Sequence, residues 1–220
     1  SDVCSSDLKT GVVNIAGSGV IPLGSGTLTV MPGATLGINN RDRFTQTAGG
    51  LVILDGGTLL MSNTGNAGSL WQTTGSGIMV TANGGTISYS ANAVTIYQGV
   101  FLGEGGTPTN GGAQTLTKTG TSELRVQNAN TANYSFQKLL VKQGLYRLGS
   151  TNAGAGQLTQ ETAFGAVPLD LLPDAITLDG GAIGASFSLA TDVFRGITLG
   201  PGGGLISGAA GVLTIQAPIT

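Results

Sequence analysis

Leu28–Asn40 reads LTVMPGATLGINN, and Leu51–Asn63 reads LVILDGGTLLMSN. The two stretches align at an offset of 23, which sets Leu28 against Leu51, Val30 against Ile53, Gly33 against Gly56, Thr35 against Thr58 and Leu36 against Leu59. A third version, IMVTANGGTISYS, starts at Ile78 and places its glycine pair, Gly84-Gly85, 28 residues further on. The phrase returns as AITLDGGAIGAS around Gly180-Gly181 and as GITLGPGGGLISG around Gly203-Gly204, again 23 apart. A period of 23 is too short for a helical repeat of the ankyrin or tetratricopeptide kind, which needs about 33 residues or more. It suits one coil of an all-β, parallel β-helix (a solenoid), with each coil stacked on the one before. Thr27-Leu28-Thr29-Val30, Thr177-Leu178 and Leu213-Thr214-Ile215 alternate small polar with branched apolar residues at period 2, the pattern of a half-buried strand. Their apolar sides are expected to fill the bore, with Leu28, Leu51 and Ile78 in one stack at the ~4.8 Å spacing of paired strands. Each buried aliphatic contributes about 1.5 to 3 kcal/mol, against the entropy lost in ordering the turns.

Glycine makes up 39 of 220 residues, well above the roughly 7% of an ordinary domain. A coil of this length bends sharply two or three times, and corners call for positive φ or close backbone approach. Asp55-Gly56, Asn83-Gly84 and Asp179-Gly180 each put a turn former before the permissive residue. The same pairs serve as hairpin loops, so an antiparallel sandwich is the structural alternative. Helical periodicity is sustained nowhere, and only Glu161 to Leu172 has room for a helical turn. No domain boundary stands out: residues 9–220 read as one β-helix segment, with loops near 103–113 and 150–174.

Composition removes many functions. There is no histidine, hence no Ser/His/Asp triad, Cys/His dyad or His-containing zinc motif. One cysteine, Cys4, excludes a disulfide scaffold. Nine basic against eleven acidic side chains give a net charge of -2, and no basic stripe offers a nucleic acid its phosphate contacts. No apolar run approaches a membrane span. Ser1–Leu8 (SDVCSSDL) differs in style from the rest and resembles, residue for residue, the translated sequence of a short-read sequencing adapter. On that reading it is an artefact outside the fold, Cys4 carries no meaning, and nine acids balance nine bases.

Leu116–Ser150 reads LTKTGTSELRVQNANTANYSFQKLLVKQGLYRLGS. It resembles the passenger-associated repeat of bacterial autotransporters. Leu116, Thr117, Lys118 and Gly120 match its opening, Leu124 and Val126 its first strand, and Asn130 and Thr131 its middle. Val141 and Gly144 match the third strand and turn; Leu145, Leu148 and Gly149 match the close. Ser122 stands where glycine is usual, two residues separate Thr131 from Tyr134, and Phe136 lies near the second expected glycine. Ala163–Pro168 (AFGAVP) and the two glycine phrases after it look like the linker between such repeats. The resemblance covers Leu116 to Thr220; Gly11 to Ala113 shares only its general style. It implies a right-handed, single-stranded parallel β-helix in a secreted or surface-displayed passenger of the bacterial outer membrane. It further implies a stalk role and a C-terminal outer-membrane barrel elsewhere in the parent protein.

The expected function is therefore structural and non-catalytic, with no residue assigned to catalysis, cofactor or metal. One alternative is an adhesin face that contacts glycans or a host surface. Tyr89, Tyr97, Tyr134, Tyr146 and Trp71 are its candidate sugar platforms, with packing as their plainer role. Another is a polysaccharide lyase or hydrolase, which needs two carboxylates across a groove. Asp170, Asp174 and Asp179 are the only local acid cluster, Arg195 is the nearest arginine, and solvated or turn-forming roles suit the acids better. Neither a calcium-binding nonapeptide nor a phosphate-binding glycine loop is present.

Overall fold

The computed structural model describes residues 5–15, 21–38, 44–46, 50–61, 69–70, 77–89, 94–97, 100–103, 114–127, 136–149, 161–208 and 211–220. Strands dominate it and are stacked in parallel, which makes the fold a β-solenoid. Three sheets form its faces. The first holds Ser5–Leu8, Thr27–Val30, Leu51–Leu54, Gly77–Val80 and Val100–Gly103. The second is eight-stranded and runs from Gly11–Ile15 to Arg195–Leu199, gaining one strand with each coil. The third runs from Ser69–Leu70 to Leu205–Gly208 in six strands. All named strand pairs among the described residues are parallel, so the glycine pairs turn corners and close no hairpins. Among the described residues a single antiparallel bridge, Thr81 to Gly84, lies inside one corner.

One inward row of the second face shows how the core is built. Val13, Leu36, Leu59, Ile87, Lys118, Val141, Leu178 and Leu199 are successive register partners. Its steps of 23, 23, 28, 31, 23, 37 and 21 residues make 23 a preferred length, with the surplus placed between strands. From Leu36 to Leu178 the row is fully buried, and only its two ends are exposed. The third face adds Leu124, Tyr146 and Ile183 to the same core.

The expected register holds on one side of a corner and slips on the other. Thr35 pairs with Thr58 and Leu36 with Leu59, at the offset of 23. Before the corner, Leu28 pairs with Val52 and Val30 with Leu54, at 24. The stack is thus Leu28, Val52 and Ile78; Leu51 alternates onto the outer side and pairs with Thr27 and Gly77. The cause is corner length. Four residues, Met31 to Ala34, separate the paired positions Val30 and Thr35, whereas only Asp55, Gly56 and Gly57 separate Leu54 and Thr58. The DGG phrase also marks two different corners: Asp55-Gly56-Gly57 joins the first face to the second, and Asp179-Gly180-Gly181 joins the second to the third.

Glycine is required sterically at Gly120, in the resemblance segment. Its φ is 75°, and a Cβ there would clash with the Tyr89 carbonyl oxygen. Within the expected loop near 150–174, Glu161–Phe164 forms a 3-10 helix, the helical turn anticipated for Glu161 to Leu172, and Leu172–Leu178 already belongs to the second face. Residues 104–113 and 150–160 lie outside the described residues. Ser5–Leu8 pairs in parallel with Thr27–Val30. No helix among the described residues is long and apolar enough to cross a membrane.

Candidate functional site

The outer side of the first face carries a cleft of about 390 Å³. Thr29, Ile53 and Met79 are register partners on three successive coils. They alternate with the buried Val30, Leu54 and Val80, so they project outward and form its floor. One wall is the corner that follows. Asp55 Oδ1 accepts hydrogen bonds from Thr81 Oγ1 at 2.5 Å and from Asn83 Nδ2 at 2.8 Å. Thr81 Oγ1 also accepts from the Asn83 backbone N–H at 3.2 Å. The hydrogen bonds from Thr81 and Asn83 hold the Asp55 carboxyl below its ordinary value and keep it ionised. Two coils thereby fix one carboxylate beside an apolar floor.

Lys118 is fully buried in the core row between Ile87 and Val141. Its ammonium donates to the carbonyls of Thr119 at 2.5 Å, Gly120 at 2.7 Å and Gln143 at 3.2 Å, tying two successive corners together. Burial lowers its pKa to about 8. Period-2 alternation in Leu116-Thr117-Lys118 puts Lys118 in phase with buried Leu116, so its inward position was legible. Its carbonyl partners were not, because they belong to corners of different coils.

Arg195 is the second buried cation, at 0% exposure. Nε reaches Glu161 Oε2 at 3.1 Å, while the terminal nitrogens donate to the carbonyls of Phe164, Gly165 and Ala166 at 3.0 to 3.3 Å. Tyr146 Oη adds a 2.8 Å bond to the Ala163 carbonyl. These contacts seat the AFGAVP segment against the solenoid, a structural use for an arginine whose sequence neighbours gave no sign of it. On the third face Glu123 bridges Arg125 at 2.6 Å and Arg147 at 3.4 Å, and those arginines are register neighbours.

The acid cluster is divided among separate tasks. Asp174 pairs with Lys138 at 2.6 Å, Asp179 accepts from the Gly202 N–H at 2.8 Å, and Asp170 is exposed. Among the described residues no group of three or more histidine, cysteine, aspartate or glutamate side chains is placed to hold a metal. Tyr89 and Tyr146 are fully buried and offer no sugar platform. The Trp71, Tyr97 and Tyr134 side chains lie outside the described residues. Comparison with protein-family models gives no match for the chain, and comparisons with curated proteins and with solved structures give none either. The autotransporter resemblance therefore rests on the residues of Leu116–Ser150 and the phrases that follow them.

Proposed function

We propose that the chain is a non-catalytic stalk segment of a secreted or surface-displayed autotransporter-like passenger. In this reading the coil is right-handed, as the resemblance implies, and the parent protein carries an outer-membrane barrel. The observation that carries the reading is the uninterrupted eight-stranded parallel sheet. At ~4.8 Å per strand it extends about 34 Å along the axis. Each coil contacts its neighbours, so coils add length without needing a new core. Further support comes from the glycines of the passenger-like segment: Gly120, Gly144 and Gly149 all have positive φ at the ends of strands. A test is to place the chain, with an N-terminal epitope, between a secretory leader and an outer-membrane barrel in a Gram-negative host. Antibody labelling of intact cells is the expected result. An inserted barrel whose epitope is reached only after the outer membrane is permeabilised would contradict a stalk role.

A further inference from the structure

We propose that the first-face cleft binds a neutral saccharide unit. This rests on the cleft's own chemistry and is independent of the stalk reading. Both internal donors to Asp55 go to Oδ1. Among the described residues none donates to Oδ2, which leaves a charged acceptor at the wall. Asn83 retains its amide oxygen and one N–H, and the Thr29 hydroxyl lies on the floor. This set of one carboxylate, one amide and one hydroxyl mixes acceptors with donors. A sugar hydroxyl, which both donates and accepts, complements such a mixture. Half-buried Ile53 and Met79 supply an apolar surface for the C–H face of a ring.

Three further observations narrow the ligand. The carboxylate stays ionised and no basic side chain lines the cleft among the described residues, so an acidic sugar would meet a negative charge there. A lysine side chain from a partner would satisfy Asp55 but leave the Asn83 and Thr29 groups without partners. The volume, about 390 Å³, falls toward the small end of the roughly 300 to 1,000 Å³ usual for ligand sites, which suits one or two sugar rings. Thr81 and Asn83 hold Asp55 from residues 26 and 28 positions away, so the wall is organised before a ligand arrives and less ordering is lost on binding. With no aromatic platform among the described lining residues, the expected dissociation constant is about 1 mM.

The test is an NMR titration of the full chain with the methyl glycosides of glucose, galactose and mannose, followed at the Met79 methyl and the Asn83 side-chain amide. Methyl glucuronoside and acetyl-lysine amide serve as comparison probes. The proposal predicts saturable shifts with at least one neutral glycoside, weaker binding of the glucuronoside, and a loss of affinity of about tenfold or more in Asp55→Asn. Met79→Glu changes an outward side chain and keeps the core intact. It is expected to lose binding with an unchanged melting temperature, which covers the case in which Asp55→Asn unfolds the corner. Absence of saturation with every neutral glycoside overturns the proposal. So does full affinity in either folded variant, and so does a response to acetyl-lysine amide alone, which would mark a site for a cationic partner.

Discussion

Replacing Lys118 by methionine should remove a specific pH dependence of stability. The ammonium sits in an aliphatic row with three carbonyl partners and no carboxylate among them. Burial lowers its pKa from 10.5 to about 8, so the unfolded chain holds this proton more tightly than the folded one. Below pH 8 the folded state carries the whole cost of keeping a buried charge. Between pH 8 and 10.5 the folded chain releases the proton first, and stability rises with pH. The gap between the two values corresponds to roughly 3 kcal/mol. Urea unfolding of wild type and Lys118→Met should be compared at intervals from pH 7 to 10.5. Other titrating groups, including Tyr89, are common to both proteins and cancel in the difference. Wild-type stability minus variant stability should therefore climb by about 3 kcal/mol over that range, most of it above pH 8. Methionine leaves the three carbonyls without their donor, which sets a constant offset and leaves the slope unchanged. A flat difference would show that the carbonyls hold the charged form as well as water does, and would refute the reasoning.

Tyr89→Phe removes a buried hydroxyl that has no hydrogen-bond partner among the described residues, so it should stabilise the protein by about 1 kcal/mol in a thermal or urea melt. Gly120→Ala should cost more than about 2 kcal/mol, since the residue holds φ 75° and its Cβ would press on the Tyr89 carbonyl; a melt within a few tenths of wild type would contradict that corner. Arg195→Leu strips the guanidinium from Glu161, which among the described residues keeps only the Asp192 N–H as a donor to Oε2, and from three carbonyls, with an expected loss of about 3 to 5 kcal/mol. In hydrogen exchange, the amides of Gly165 and Ala166 should lose protection before those of the second face.

Strand identity could be read from the chain because period-2 alternation is a local signal, and parallel stacking followed from the 23-residue repeat, since the glycine pairs alone fit hairpins as well. Leu36 and Leu59 meet as their spacing says. Leu28 and Leu51 do not, because a corner one residue shorter absorbs the difference and shifts everything before it. A uniform offset cannot see this, since corners of three or four residues both end with a glycine-containing turn. The DGG phrase misled in the same way: its chemistry makes a corner, and nothing in it says which corner. Lys118 showed its inward phase, but its pairing with Gln143 is a contact between coils. Arg195 gave no sign, because its partners belong to an inserted segment about 30 residues earlier that follows no repeat. The cleft was equally hidden: Thr29, Ile53 and Met79 converge only once the corrected register is known.

Disulfide trapping tests that register at one point of the stack. In a Cys4→Ser background, Thr29→Cys should oxidise readily with Ile53→Cys, its outward partner on the next coil, and the bond should be found by mass spectrometry with the melting temperature retained. Thr29→Cys paired instead with Val52→Cys, the partner under a uniform offset of 23, should stay reduced, because Val52 faces the bore. Trapping of the second pair and not the first would contradict this register, and with it the inward row that fills the bore and the outward row of Thr29, Ile53 and Met79 that floors the cleft.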